Sequence, residues 1–523
     1  MTSAGSNAQP FRLNGWFEDR DAVLERLAFV ATVLFAGATF WFVPRLPMAD
    51  LPQHAGQVAL WRDLLLGTSK WEQLLHINYF TPYLVGYGPA LLLSFLLPVS
   101  AALKLLLMLA YFGFVAVCVA LRRHFDADRH MDWLFVPGFF GYAYGWGLYT
   151  FLIAAPFGVL FVLLAHRYAA RPTAALGVAL FVADLALFFA HGLVFLFASC
   201  IGGLFLLLKC RPAARLLRAL LPYAAIGLWC VLYALVRLRV EAAPSAEPFH
   251  LVWGWDLDRL NFLVYPLMWP ADADAKFAPL LLLMLAAPFV LRARLNLRDP
   301  TAAVPIAATL LVWAFVPVAA MHTGFLYQRF ALFLLPFYAL LFRAPDLARR
   351  GVVRRLWLPV LCWVFLAAHT DRLFAFARES AAFDEVLATT PPGQRARALV
   401  FDPASAATGH AVAYTHFPLW YQAEKGGFVD FNFAGYLPQV VRYRPGAAPT
   451  VFAEGAWTAR PAEDFDWTRD QADLYRYFFV RRTTPLPPGY FPAGRCAPVL
   501  LKSAGSWSVF ENVNCQSPGA ALR

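Results

Sequence analysis

GLVFLFASCIGGLFLLL, residues 192–208, carries no charged side chain and is followed at once by Lys209. A helix needs roughly 20 mainly apolar residues to cross a bilayer core of about 30 Å, so this run has the length and composition of a membrane span. The run before it, AALGVALFVADLALFFA at 174–190, differs in holding one carboxylate, Asp184. Outward from this pair, similar runs recur at 27–44, 84–98, 101–121, 132–166, 219–236, 277–291, 301–320, 326–342 and 355–369. The first run is not followed by a small-residue cleavage site and reads as a retained helix. Residues 371–523 contain no further span.

Composition agrees. Of the 523 residues 60% are hydrophobic and only 15% charged, where a soluble globular chain has about 25% charged. Net charge is +11, and only six of 44 basic residues are lysine (Lys70, Lys104, Lys209, Lys276, Lys425, Lys502). The arginines sit in short loops between apolar runs, which is the positive-inside pattern of a membrane protein and not a nucleic-acid footprint.

That pattern sets an expected topology. The loops with Arg167/Arg171, Lys209/Arg211/Arg215/Arg218, Arg292/Arg294/Arg298 and Arg343/Arg349/Arg350/Arg354/Arg355 are short and basic, hence cytoplasmic. Loops 45–83 and 237–276, the turn His322–Tyr327 and the tail then face outward. The expected fold is a mostly α-helical polytopic membrane protein with about 11 transmembrane helices, an odd number. It has a cytoplasmic segment 1–26, a membrane domain 27–370 and a C-terminal extracytoplasmic domain 371–523. In the tail, residues 371–388 look helical, and alternating stretches Ala398–Phe401, Phe428–Phe433, Tyr477–Val480 and Trp507–Phe510 lie between Pro/Gly turns, giving an α/β or α+β domain. Cys496 and Cys515 flank its last strands. In an oxidising compartment they would pair; the alternative is two unpaired thiols. Loop 45–83 reads as short amphipathic helices, with Val58, Leu60, Trp61, Leu64 and Leu65 on one face.

Several groups in these loops could carry chemistry. Met48-Ala49-Asp50-Leu51-Pro52-Gln53-His54 follows the first span directly. If Pro52 opens a helix, Asp50 and His54 share a face. Asp50 reads either as a helix N-cap or as a catalytic carboxylate. His191 lies between two apolar runs, with Asp184 two turns earlier, either as functional groups or as a polar clamp between helices. His322 ends one run; Tyr327 and Arg329 begin the next, and Arg329 reads equally as a headgroup contact or a phosphate ligand. All of these except Asp184 map to one leaflet. Asp256/Asp258 and Asp272/Asp274 form Asp-x-Asp pairs that suit a divalent cation but are also ordinary loop residues. Trp253, Trp255, Trp269 and Tyr265 read as an interfacial belt. There is no Gly-rich phosphate loop, Ser-His-Asp motif or ATP-binding signature, which argues against an ATP-driven pump or a kinase.

An acidic residue just outside the first span, in a long loop with juxtamembrane helices, resembles the GT-C class of polytopic glycosyltransferases, and Asp50-Leu51-Pro52-Gln53-His54 is similar to a stretch of several bacterial members. The tail, with Phe383-Asp384-Glu385-Val386-Leu387, Pro391–Gly393 and His416…Tyr421…Gly426-Gly427, resembles those of bacterial GT-C-like proteins. The resemblance implies a bacterial inner-membrane enzyme. It would move a sugar from a polyprenyl-phosphate-linked donor to an extracytoplasmic acceptor, with membrane lipids as surroundings and no nucleic acid. Asp50 would be the base, with His54, His191, His322, Tyr327 and Arg329 binding substrate. No cofactor is expected, with Asp256 and Asp258 as candidates for a divalent cation. Two rivals stand beside this reading. One is a transporter or flippase for a lipid-linked saccharide, which should show repeated halves with broken helices. The other is an O-antigen polymerase or ligase.

Overall fold

The computed structural model describes residues 14–240, 251–270, 277–320, 323–344, 352–436, 439–447, 461–493 and 497–513. The helices in chain order are α1 (Asn14–Ala38), α2 (Leu51–Leu65), α3 (Leu84–Ser94), α4 (Val99–His124), α5 (Tyr142–Trp146), α6 (Tyr149–Ala170), α7 (Ala174–Ala190), α8 (Gly192–Lys209), α9 (Ala213–Ala219) and α10 (Leu221–Val240). They continue as α11 (Ala278–Leu285), α12 (Ala287–Val290), α13 (Val304–Phe315), α14 (Leu334–Ala339), α15 (Val352–Thr389) and α16 (Leu419–Lys425).

Five segments are long and apolar enough to cross a membrane: Ala22–Trp41, Val99–His124, Tyr149–Ala170, Gly192–Lys209 and Arg355–Thr389. The pair α9 and α10, bent by 44°, makes a sixth if it counts as one span. The protein is thus a helical membrane protein, but not with eleven spans of full length among the described residues. The reason is local chemistry. The run 132–166 breaks at Pro137-Gly138, Gly141 and Gly147 into tight turns and α5 before α6 begins. Gly141 approaches its neighbours so closely that a Cβ would lie 2.2 Å from the Tyr265 carbonyl oxygen. Run 277–291 splits at Pro288, run 301–320 stops before Pro317, and run 326–342 yields only a tight turn and six-residue α14 around Pro336. Proline removes a helix donor and crowds the preceding turn. Conversely, nothing interrupts the chain between the last apolar run and 371–388, so α15 continues unbroken for 38 residues into the tail.

The tail builds a five-stranded sheet in the order 499–504, 507–511, 477–481, 395–400, 428–429. The first three are antiparallel neighbours; 395–400 runs parallel to both 477–481 and 428–429. Strand Tyr477–Arg481 is buried throughout. Its alternate side chains point to opposite faces. Phe479 meets the α15 residue Phe383, while Phe478 joins a separate cluster with Phe465, Trp467 and Phe491.

The tail is tied to the chain that follows α1. Arg45 is buried between Asp384 (2.7 Å) and Glu424 (2.8 Å) and lies over the Trp420 ring at 4.7 Å. Strand 75–77 pairs antiparallel with 441–443. Helix α2 is not an interfacial helix with one apolar face: every residue from Leu51 to Trp61 is buried. Its glutamines bind the tail, Gln53 Oε1 accepting from Phe433 N–H (2.9 Å) and Gln57 Oε1 from Val441 N–H (3.0 Å).

Candidate functional site

Where the first loop, the ends of α6–α8 and the tail meet, the chain encloses a cavity of about 510 Å³. Asp50 and His54 line it from α2. Tyr83 precedes α3; Trp146, Leu148 and Thr150 come from the α5–α6 junction; His191 lies between α7 and α8. Thr323–Phe325 and Arg329 form another wall, and Val412, His416, Phe431, Phe433, Tyr436 and Gln439 come from the tail. The basic helix ends, with His124, His166 and Lys209, lie at the other end of the bundle, where His124 Nε2 meets His166 Nδ1 at 2.7 Å.

Asp50 does not cap α2. Its backbone is already helical (φ −89°, ψ −6°) and its carboxylate makes no hydrogen bond to the first turn. Instead the backbone is gripped by the α5–α6 junction: Ala49 N–H donates to Gly145 O (3.2 Å) and Asp50 N–H to Trp146 O (2.9 Å). Gly147 closes that junction at φ +83°, and a Cβ there would lie 2.8 Å from the Asp50 nitrogen. The carboxylate is turned toward the tail, with Oδ1 3.3 Å from His416 Nε2. This distance is long for a hydrogen bond, as is common in sites that tighten around a ligand. Oδ2 has no protein partner among the described residues.

His416 is held from behind. Gln53 Nε2 lies 3.2 Å from His416 Nδ1 and 3.5 Å from the Phe431 carbonyl oxygen. Phe431 stacks on the imidazole at 5.7 Å and 24°.

His54 shares the face of Asp50, as the spacing predicts, and lines the cavity. Its Nδ1 lies 2.6 Å from Tyr87 Oη, and that hydroxyl lies 2.9 Å from Gln439 Oε1. Burial lowers the His54 pKa from 6.5 to about 3, and the imidazole is neutral at ordinary pH.

Arg329 is buried on the cavity wall. Its Nε donates to Phe325 O (3.0 Å) and its Nη2 to Gly324 O (2.6 Å). Nη1 has no protein partner among the described residues, and no carboxylate pairs with this guanidinium. Phe325 adopts φ +56°, an outlier for a bulky residue. Its ring packs on Trp146 at a centroid distance of 3.9 Å. His191 caps α8, its Nδ1 accepting from Leu193 N–H (3.3 Å), so its hydrogen is on Nε2.

Other expectations fare differently. Tyr327 is not on the cavity: it lies under the Arg259 guanidinium (4.2 Å) and against Phe262. Asp184 is a clamp between α7 and α8, accepting from Ser199 Oγ at 2.8 Å. The aromatic belt divides, since Trp253 and Trp255 are exposed but Trp269 is buried and donates to Phe140 O (3.0 Å). Asp256 and Asp258 belong to no group of potential metal ligands among the described residues. His322, Cys496, Cys515, Asp272 and Asp274 lie outside the described residues. Sequence reasoning gave no role to Gln53, Tyr83, Phe325 or Phe431, and it noted His416 only within a tail motif.

A comparison of the chain with protein-family models and with curated proteins finds no match.

Proposed function

We propose that the chain is a membrane glycosyltransferase of GT-C type, transferring a sugar from a polyprenyl-phosphate donor to an acceptor at the outer face of the membrane. The observation that carries this reading is that Asp50, a carboxylate with one oxygen unclaimed by the described residues, shares a single cavity with Arg329, a buried guanidinium that feels the Asp50 charge but has no carboxylate within salt-bridge distance among the described residues. A buried cation without a counter-ion is costly unless an anion completes it, and a donor phosphate would do so. Asp50 would take the proton of the acceptor hydroxyl as that oxygen attacks the anomeric carbon. The bond to the donor phosphate breaks, and Arg329, with His191 Nε2–H facing the same space, would stabilise the departing phosphate. The aromatic wall of Trp146, Phe325, Phe431 and Phe433 suits the apolar faces of sugar rings.

The test is transfer of labelled sugar from a panel of polyprenyl-phosphate donors by the purified chain in lipid nanodiscs. Turnover that is lost in Arg329→Met and Asp50→Asn supports the reading. Absence of both turnover and donor binding across the panel rejects it.

A further inference from the structure

We propose that Gln53 and His416 form a positioning relay that holds His416 as the neutral Nε2–H tautomer beside Asp50. The kinetic part rests on Asp50 being the base of the proposed transfer; the tautomer itself does not.

Hydrogen-bond direction selects the tautomer. The backbone N–H of Phe433 can only donate, and it points at Gln53 Oε1 at 2.9 Å. That fixes the amide: Nε2 must face the other way, toward His416 Nδ1 at 3.2 Å and the Phe431 carbonyl oxygen at 3.5 Å. Turning the amide over would set its NH2 against the Phe433 N–H and its oxygen against the Phe431 carbonyl, leaving buried groups unsatisfied. Gln53 is completely buried, so water does not relieve that mismatch. With an N–H donor facing Nδ1, that nitrogen must be the bare one, and the ring hydrogen is on Nε2, the atom 3.3 Å from Asp50 Oδ1.

A second proton on His416 would have to enter at Nδ1, against the Gln53 amide. The relay therefore opposes an imidazolium next to Asp50, where a positive charge would weaken the carboxylate as a base. The other ionisable groups whose electrostatics reach this pair are Arg329, His54, Tyr87, Tyr142 and Tyr436. Among the described residues, the partner at Nδ1 is the Gln53 amide. During transfer the acceptor hydroxyl proton goes to Asp50, the new bond forms between acceptor oxygen and anomeric carbon, and the bonding pair leaves with the phosphate. His416 keeps its hydrogen throughout, so it is a positioning residue. Phe431, Phe433 and His416 all belong to the tail, which by this relay orients a residue of the first loop.

The experiment uses the full chain, labelled with 15N-histidine, in nanodiscs, with His416→Gln assigning the resonances. Wild type should show His416 with Nε2 protonated and Nδ1 bare. Gln53→Glu keeps an acceptor for Phe433 N–H and offers a carboxylate to Nδ1, so both nitrogens should become protonated. An Nδ1–H tautomer or an imidazolium in wild type, or no change in Gln53→Glu, overturns the relay whether or not the chain transfers sugar. In the kinetic arm, Gln53→Glu should lower kcat about ten-fold or more with KM little changed, and shift the acid limb of the pH profile to lower pH. His416→Gln places an amide N–H near the Nε2 position and should retain much more activity than His416→Ala. Equal losses in the two His416 variants, with an unmoved pH profile in Gln53→Glu, would reduce His416 to packing.

Discussion

The Nε2 of His416 stands 3.3 Å from Oδ1 of Asp50, joining the residue that follows the first membrane helix to the C-terminal tail. Because the Asp50 side chain gives the α2 backbone no hydrogen bond, its removal costs little helix stability. Asp50→Asn and Asp50→Ala should therefore melt within a degree or two of each other in detergent, without the roughly 1 kcal/mol penalty that a lost cap would add to the alanine variant. Both should lose transfer by about 10²-fold or more if Asp50 is the base. An asparagine variant with full turnover removes Asp50 from the mechanism.

Gly147 is the backbone position on which Asp50 leans. An alanine there would hold a left-handed conformation at a cost of about 1–2 kcal/mol. Its Cβ would also press on the backbone at Met48, Asp50 and Leu51. Gly147→Ala should lower the melting temperature and reduce transfer more than the stability loss explains, because the carboxylate is displaced. Turnover at the wild-type rate in a folded Gly147→Ala protein would show that the junction does not position Asp50.

Arg45 holds two tail carboxylates from beneath the first loop. Removing one partner of a fully buried pair costs 3–5 kcal/mol, but Asp384 and Glu424 are 38% and 30% exposed and water recovers part of that. Arg45→Met should destabilise by roughly 1–3 kcal/mol and make the tail more sensitive to limited proteolysis. A protease pattern identical to wild type would argue that the ion pairs do not anchor it.

Acidification should weaken the same junction. His410 Nε2 donates to Gly145 O at 2.8 Å, and burial lowers the His410 pKa from 6.5 to about 4; for His54 it falls to about 3. Both imidazoles bind a proton more readily in the unfolded chain. Their contribution is fully present above about pH 6.5 and is lost as pH falls toward 4 and 3. The melting temperature should drop between about pH 7 and 4, and less steeply in His410→Gln, whose amide can still donate to Gly145 O. An equal slope in the two proteins would exclude His410.

The sequence was informative where one physical effect dominates. The apolar runs at 27–44, 101–121, 192–208 and 355–369 fall on helical segments long enough to cross a membrane, and the alternating stretches at 398–401, 477–480 and 507–510 became strands. Asp50, His54, His191 and Arg329 could be grouped because charge alternation assigns loops to sides, and the cavity contains all four. The rest depended on contacts far apart in the chain. Helix α2 has the pattern of a half-exposed amphipathic helix, yet it is buried because the tail covers its other face. Tyr327 stands two residues before Arg329, but a tight turn points it at Arg259 instead of the cavity. Nothing local marks His416 as the neighbour of Asp50. Gln53 and Gln57, two amides in a mostly apolar helix start, were the available hint that polar partners lay beyond the helix.

Gln53 and His416 are 363 positions apart, and Gln57 bonds to a backbone group 384 positions on. At about 5–20 residues per second of synthesis, the first loop waits on the order of 20–70 s at the ribosome before the segment that satisfies it exists. Until then its buried glutamines have only water or a helper protein for partners, and Asp50 has no histidine. Loss of the last quarter of the chain would therefore reach back to the first helices, and a truncated product should be cleared from the membrane instead of persisting there half-assembled.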